Sequence, residues 1–269
     1  MATGRVQDKI VLVTGAARGM GRSHALRLAE EGADLVLIDI CGPVAGIDYP
    51  MATEDDLAQT AAAVTALGRR AVAATVDVRD EAALAANVDD AVATLGGLDA
   101  AVANAGVLTA GSWDTTTAAD WRTVVDINLI GVWNTDRAAI PHLLERGGGS
   151  LVNISSTSGI KGCPLTLPYT ASKHGVVGLS TALANELAAQ SIRVNTVHPT
   201  GVATGLRAPG LHERLGTEQS GLAAIYQNAL PVAGVEPLDV SHAVVYLVSD
   251  ESRYVTGTQL KVDAGMTIR

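Results

Sequence analysis

Short apolar runs alternate with longer amphipathic segments along the whole chain. Seven runs read as strands: Ile10–Val13, Asp34–Ile38, Ala71–Val76, Leu98–Val102, Ser150–Ile154, Ile192–Val197 and Gln259–Val262. Each is nearly continuous in apolar residues and bounded by Gly, Asp or Asn, the pattern of a parallel strand covered on both faces. Between them, helical periodicity spans Gly21–Glu31, Asp55–Leu67, Glu81–Leu95, Thr117–Glu145, Pro168–Gln190 and Leu238–Ser249. Regular βαβα alternation predicts an α/β fold, a doubly wound parallel sheet of about seven strands with helices on both faces. No stretch reads as a linker and no repeat is present, so residues 1–269 are expected to form a single domain.

Composition adds limits. A chain of 269 residues with 48% hydrophobic content can bury one sizeable core; with 3% aromatics and no Phe, that core is built from Ala, Val, Leu and Ile. A net charge of −9 without a basic block argues against nucleic acid or an anionic membrane surface as partner. The segment before Thr14 is too short in apolar residues for a signal sequence, and no apolar run reaches membrane-spanning length. Cys41 and Cys163 form no ligand-spaced pair, and His24, His142, His174 and His198 lack acidic partners at ligand spacing. The expectation is a cytoplasmic protein with no metal site, its histidines at the surface or at strand ends.

The first strand runs straight into Thr14-Gly15-Ala-Ala-Arg18-Gly19-Met20-Gly21-Arg22. Glycines at 15, 19 and 21 let backbone approach a pyrophosphate at a helix N-terminus, where free amides favour anions. The spacing is Gly-x-x-x-Gly-x-Gly rather than the commoner Gly-x-Gly-x-x-Gly. Asp39 closes the second strand, where a carboxylate accepts both adenosine ribose hydroxyls and repels a 2′-phosphate; NAD is therefore expected over NADP. Arg18 has the opposite leaning, since a guanidinium there would assist a 2′-phosphate. Asp77, after the third strand, is placed to accept from an adenine amino group. Asn104-Ala105-Gly106, after the fourth, lets backbone pass close to a cofactor. Singly these are ordinary strand-end residues; jointly they mark the carboxyl ends of the strands as a binding edge.

Tyr169 and Lys173 stand four apart in Tyr169-Thr-Ala-Ser-Lys173, with Ser156 thirteen residues upstream. On a helix the ammonium then lies beside the phenol. Lowering a tyrosine from about 10 to about 7 takes roughly 4 kcal/mol, about what one charge at about 4 Å supplies at an effective dielectric of about 20. Ser156 can hold a substrate oxygen while Tyr169 gives or takes its proton. By itself Tyr-x-x-x-Lys also fits a solvated helix pair; the glycine loop and Asp39 weigh it toward catalysis.

These residues resemble the short-chain dehydrogenase/reductase family over nearly the whole chain. Thr14-Gly-x-x-x-Gly-x-Gly21, Asp77, Asn104-Ala-Gly106, Asn128, Ser156, Tyr169 and Lys173 match its motifs in order and approximate spacing. The resemblance implies a Rossmann-type domain, hydride exchange with NAD, and a homotetramer, for which the helical stretches Thr117–Glu145 and Pro168–Gln190 offer faces. It implies Tyr169 as acid/base, Lys173 as ribose ligand and pKa-lowering charge, Ser156 as the group positioning the reacting oxygen, and Asn128 as support for a water relay. A helix-interior amide bonded to backbone is the other reading of Asn128. Arg18, Met20, Ile40 and Val78 join the cofactor contacts on the same ground. Past the sixth strand, Thr200 stands where the family usually has glycine; Pro199, Val202 and Thr204 are the expected carboxamide region.

Between Asp39 and Asp77 lies an extra stretch near residues 40–54, longer than the usual connection of about 2–6 residues. In this respect the chain is similar to a mycofactocin-associated, carveol dehydrogenase-like subfamily. That likeness implies that the stretch covers NAD, which stays bound while the peptide-derived carrier mycofactocin takes its electrons. The other reading is a decorative loop, with Asp48 and Tyr49 touching adenosine or merely ordering it. Residues near 204–237 are the expected substrate lid. Leu206, Leu211, Leu215, Leu222, Ile225 and Tyr226, with Leu108, Trp113, Leu165 and Leu167, are the expected apolar pocket. Arg207 and Arg214 are isolated, so a terpenoid-like or steroid-like secondary alcohol or its ketone is favoured over a charged substrate. Two rivals stand beside this reading: an NADPH-dependent ketoreductase of acyl-carrier substrates, which Asp39 disfavours, and a non-catalytic NAD-binding sensor, which Ser156, Tyr169 and Lys173 disfavour.

Overall fold

The computed structural model describes residues 4–206, 208–217 and 220–269; residues 1–3 of the N-terminal segment and Arg207 lie outside them. The chain runs β1 (Ile10–Thr14), α1 (Gly19–Glu30), β2 (Asp34–Asp39), α2 (Glu54–Ala66), β3 (Ala71–Thr75), α3 (Glu81–Leu95) and β4 (Ala100–Ala103). It continues with α4 (Ala118–Val125), α5 (Gly131–Arg146), β5 (Gly149–Ile154), α6 (Leu167–Glu186), β6 (Ile192–Pro199), α7 (Leu211–Gly216), α8 (Pro237–Val248) and β7 (Gln259–Val262). All strand pairs are parallel, in the order β3-β2-β1-β4-β5-β6-β7. The doubly wound α/β fold expected from the alternating pattern is present.

The period of two along each inner strand divides its side chains between two cores. In β1, Ile10 and Leu12 pack with α3, α5 and the end of α6, while Val11 and Val13 pack with α1, α2 and α8. The expectation that all seven strands are buried needs correcting. β3 and β7 alternate between partly buried and exposed positions, because each has one neighbour and sits at a sheet edge.

Local chemistry sets the helix ends beside the binding edge. Thr53 and Asp56 form a reciprocal capping box that starts α2, and Thr117 and Asp120 do the same for α4. The single helix expected over Thr117–Glu145 is interrupted: a π turn, Asp126–Ile130, separates α4 from α5. A 3.6-residue period cannot reveal one widened turn. Asn128 lies in that turn and clasps the backbone of Val107, 21 residues away, from both sides. No helix among the described residues is long and apolar enough to cross a membrane.

One buried polar pair is out of balance. The Asp136 carboxyl on α5 accepts from Asn153 Nδ2 at 2.8 Å, yet Asp136 Oδ1 and Asn153 Oδ1 both lack a donor. Burial pushes the Asp136 carboxyl up to about 7. A protonated Asp136 can donate to the Asn153 carbonyl and complete a two-bond acid–amide pair. Because the folded pKa lies above the unfolded one, this contribution is full below about 4 and is lost as pH rises to about 7. The loss is bounded at about 4 kcal/mol by about 1.4 kcal/mol per pKa unit. Asp136→Asn, which stays neutral, is expected to flatten the fall in unfolding free energy between pH 4 and 7 measured by urea denaturation. Equal pH slopes in both proteins would rule this out.

Candidate active site

At the carboxyl edge of the sheet the chain reverses its winding. β2 and β3 lie on one side of β1 and β4 on the other, leaving a crevice between β1 and β4. Gly15 and Gly19, at φ +65° and +57°, turn the chain from β1 into α1. Gly21 serves proximity instead: a Cβ there would lie 1.9 Å from the Gly15 carbonyl oxygen. Asn104 stitches the two sides together. Its Nδ2 donates to the carbonyls of Thr14 (3.0 Å) and Gly15 (3.2 Å), while the amides of Asn104 and Ala105 donate to Thr14 Oγ1.

The crevice opens into a cleft of about 1010 Å³, continuous with solvent. Its floor and phosphate end hold Gly15, Arg18, Gly19 and Met20, with Asn104, Ala105 and Gly106 opposite. Asp39, Ile40, Asp77 and Val78 line one end; Tyr169, Lys173 and Thr204 line the other. Asp39 is buried and held by two backbone amides, Ala17 N at 3.0 Å and Cys41 N at 3.1 Å. Asp77 differs from expectation, because Arg79 donates to both of its oxygens at 2.5–3.0 Å. An adenine amino group would have to share those oxygens.

Three residues expected at the cofactor lie off the cleft wall. Gly21 stands behind Gly15. Pro199 ends β6 in register with Val262, and Val202 bridges to Val235 and packs on the apolar core. The Thr200 hydroxyl turns inward to Asn228 at 2.8 Å, and the chain past β6 reaches the cleft at Thr204, opposite Gly19, and at Gly205 and Leu206.

The stretch near 40–54 crosses the cleft mouth. Cys41 turns at φ +48°, Val44, Tyr49 and Ala52 are buried, and Val44, Tyr49, Met51 and Ala52 line the cleft. The Tyr49 hydroxyl accepts from the Leu108 amide at 3.0 Å, on the far side of β1. Asp48 is exposed and takes no part in the lining. Val44, Met51 and Ala52 were not legible as site residues, since they follow neither strand nor helix period.

Ser156 follows β5, and Tyr169 and Lys173 lie one turn apart on α6. Gly159 permits their approach; a Cβ there would meet Ser155 Oγ at 2.3 Å and the Lys173 carbonyl at 2.7 Å. Lys173 is buried, its Nζ donates to the Ile154 carbonyl at 2.7 Å, and it lies 5.6 Å from the centre of the Tyr169 ring. Burial lowers Lys173 to about 8. The expected lowering of the phenol is reversed in the protein alone: burial pushes Tyr169 up to about 12, against a hydrogen bond from Ser156 that pulls it down. Desolvation of the phenolate outweighs that hydrogen bond. Asn128 is fully buried with both ends of its amide on Val107 at 2.8 Å and its Nδ2 also 3.5 Å from Ser172 Oγ, the geometry of a helix amide bonded to backbone.

The lid is held by its own small core. Leu165, Leu211 and Leu215 are buried together, with Leu222 and Tyr226 against them, and Tyr226 donates its hydroxyl proton to the Pro164 carbonyl. Most of the leucines expected to line a substrate pocket thus anchor the lid, and Trp113 is 84% exposed; Leu206 is the lid side chain that faces the cleft. Lys161 ties the base of the lid down through the carbonyls of Ile225, Met266 and Arg269 at 3.0–3.2 Å.

The family model described as Enoyl-(Acyl carrier protein) reductase matches residues 15–267. The chain belongs to the short-chain dehydrogenase/reductase family. It is 48% identical to the (−)-trans-carveol dehydrogenase of Rhodococcus erythropolis over 278 aligned positions, covering 98% of this chain and 99% of that one. The carveol dehydrogenase of Mycobacterium avium, solved in complex with NAD, is 48% identical with a TM-score of 0.93, covering 99% and 100% of the two chains. A short chain dehydrogenase from Mycobacterium paratuberculosis bound to NAD is 45% identical with a TM-score of 0.96 over the same shares.

Asp39, buried at the cleft and held by two amides, is the residue whose role in dinucleotide choice can be tested directly. Asp39→Ala is expected to weaken NAD binding about tenfold or more and to narrow the preference over NADP, as loss of charge-assisted hydrogen bonds to ribose predicts. Calorimetric titration with each nucleotide checks this, and an unchanged ratio of affinities would remove Asp39 from cofactor choice.

Proposed function

We propose that the protein is an NAD-dependent dehydrogenase that interconverts a secondary alcohol and its ketone. The observation that carries this reading is that Tyr169, hydrogen-bonded to Ser156, and Lys173 line a cleft with a glycine-turned helix N-terminus and an amide-held Asp39. The residues fit a dinucleotide: no side chain can be added at Gly21, and Asn104 Oδ1 is a buried acceptor without a partner. The names of the 48% identical relatives support the same cofactor and reaction class.

When bound, NAD supplies the hydride acceptor and a positive ring. Ser156 holds the alcohol oxygen. Tyr169 takes its proton once the surrounding charge has brought the phenol down from about 12. Lys173 contributes that charge and holds its place through Ile154. A buried Asp39 disfavours the 2′-phosphate of NADP, which weighs against a ketoreductase working with NADPH. Tyr169→Phe is expected to lower turnover of carveol by about 100-fold or more while leaving bound NAD in place. Unchanged turnover would remove Tyr169 from the mechanism and favour a binding protein.

The finer reading is a terpenoid-like alcohol, tightly held NAD and reoxidation by mycofactocin, in a cytoplasmic homotetramer. Tyr49 supports the held cofactor, since its bond to Leu108 closes the 40–54 stretch over the cleft. The apolar lid core and Leu206 support an apolar substrate. Purified protein is expected to release NAD only on denaturation and to oxidise carveol with an artificial acceptor far better than with added NAD. Tyr49→Phe, losing a hydrogen bond worth about 1 kcal/mol, should speed NAD exchange about fivefold. Nucleotide-free protein producing free NADH in ordinary steady state would sink the captive-cofactor reading, and a monomer by sedimentation would exclude the tetramer.

A further inference from the structure

His198, expected at the surface or a strand end, is fully buried in β6 directly beneath the catalytic serine loop. Its Nδ1 lies 2.7 Å from the Ser156 carbonyl oxygen, and its Nε2 lies 2.7 Å from Thr196 Oγ1. We propose that His198 is the residue that positions Ser156, fixing the serine backbone through an Nδ1–H bond to its carbonyl. This rests on the reading of Ser156 as the group that holds the substrate oxygen.

The need for such a group follows from where the sheet stops. β5 and β6 pair up to Ile154 and Val197, and the last rung is the Ser155 amide donating to the Val197 carbonyl at 2.9 Å. Ser156 is one residue past that rung, in extended conformation and outside the ladder. Among the described residues its carbonyl has two donors, Gly159 N at 2.9 Å from within its own turn and His198 from the sheet. His198 therefore extends the β5–β6 pairing by a side chain where main-chain pairing has ended.

Proton accounting fixes the tautomer. A carbonyl oxygen can only accept, so Nδ1 carries the hydrogen. Burial lowers the His198 pKa and keeps the ring neutral, which leaves Nε2 as acceptor for the Thr196 hydroxyl. The charged groups facing the ring are Lys173 on α6, Lys261 on the adjoining strand, and Asp263 just beyond it. Ser156 Oγ accepts from the Ser158 amide at 3.1 Å, so its own proton stays available for Tyr169. A loss of the carbonyl anchor lets that hydroxyl drift without touching the cofactor site.

Asn and Gln separate position from mere polarity, because an Asn amide nitrogen overlays Nδ1 and a Gln amide nitrogen overlays Nε2. His198→Asn is expected to keep kcat for carveol within about threefold of wild type; His198→Gln and His198→Ala are expected to lower it about tenfold or more, equivalent to about 1.4 kcal/mol. Bound NAD and far-UV circular dichroism should be unchanged. Nitrogen-15 NMR of the histidines should show the Nδ1–H tautomer at position 198, a readout that needs no turnover. Equal kcat in the Asn and Gln variants, an unchanged Ala variant, a loss that tracks lost NAD, or the Nε2–H tautomer would each overturn the proposal. Should the Ala variant not fold, the Asn–Gln comparison and the tautomer still decide. Ser156→Ala is the control: full activity there defeats the role of Ser156 itself, whereas an inactive Ser156→Ala with equal Asn and Gln variants defeats only the role of His198.

Discussion

The closeness of β1 to β4 is the constraint on which the rest of the site depends. Parallel strands that wind outward in opposite directions leave a gap between their carboxyl ends, and backbone groups there have no ladder partner. Asn104 fills that gap, bonding the carbonyls of Thr14 and Gly15 while Thr14 accepts from the other side. The glycines follow from it, since a side chain at Gly15 would strike Ala105 and one at Gly21 would strike both Gly15 and Asn104. A crevice floored by bare backbone results, and the two neighbouring strands deliver Asp39 and Lys173's anchor, Ile154, to its ends.

The catalytic helix illustrates a competition that adjacency alone does not decide. Tyr169 and Lys173 sit one turn apart, as their spacing requires, yet the protein by itself holds the phenol up and the ammonium down. Both shifts have the same cause, removal of charge-stabilising water from a closed site. Added positive charge beside Tyr169 would act against that desolvation and bring the phenol back down. The device that seemed sufficient in four residues of helix is half of a larger one.

The sequence was most informative where contacts are local and least where they cross the fold. Strand and helix alternation, the glycine loop, Asp39 and the Tyr169–Lys173 spacing are all determined within one element or one turn, and each sits where the pattern put it. The π turn at Asp126–Ile130 was hidden because its cause, the clasp of Asn128 on Val107, lies 21 residues away. His24 was misplaced for the same reason: it is buried within α1, and its partner Ser241 is 217 residues distant on α8. The lid leucines were read as pocket because hydrophobicity does not say whether an apolar residue faces a ligand or another leucine.

Lys161 places a limit on how this enzyme's entrance can change. A single ammonium gathers carbonyls from Ile225, Met266 and Arg269, so the base of the lid and the last turn of the chain are fastened to the loop that carries Ser156. The outer turn, α7, is held to Leu165 by apolar packing instead, which tolerates exchange of one aliphatic side chain for another. Variation is thereby partitioned: the outer turn is free to exchange aliphatic side chains while the inner edge stays registered to the loop of Ser156.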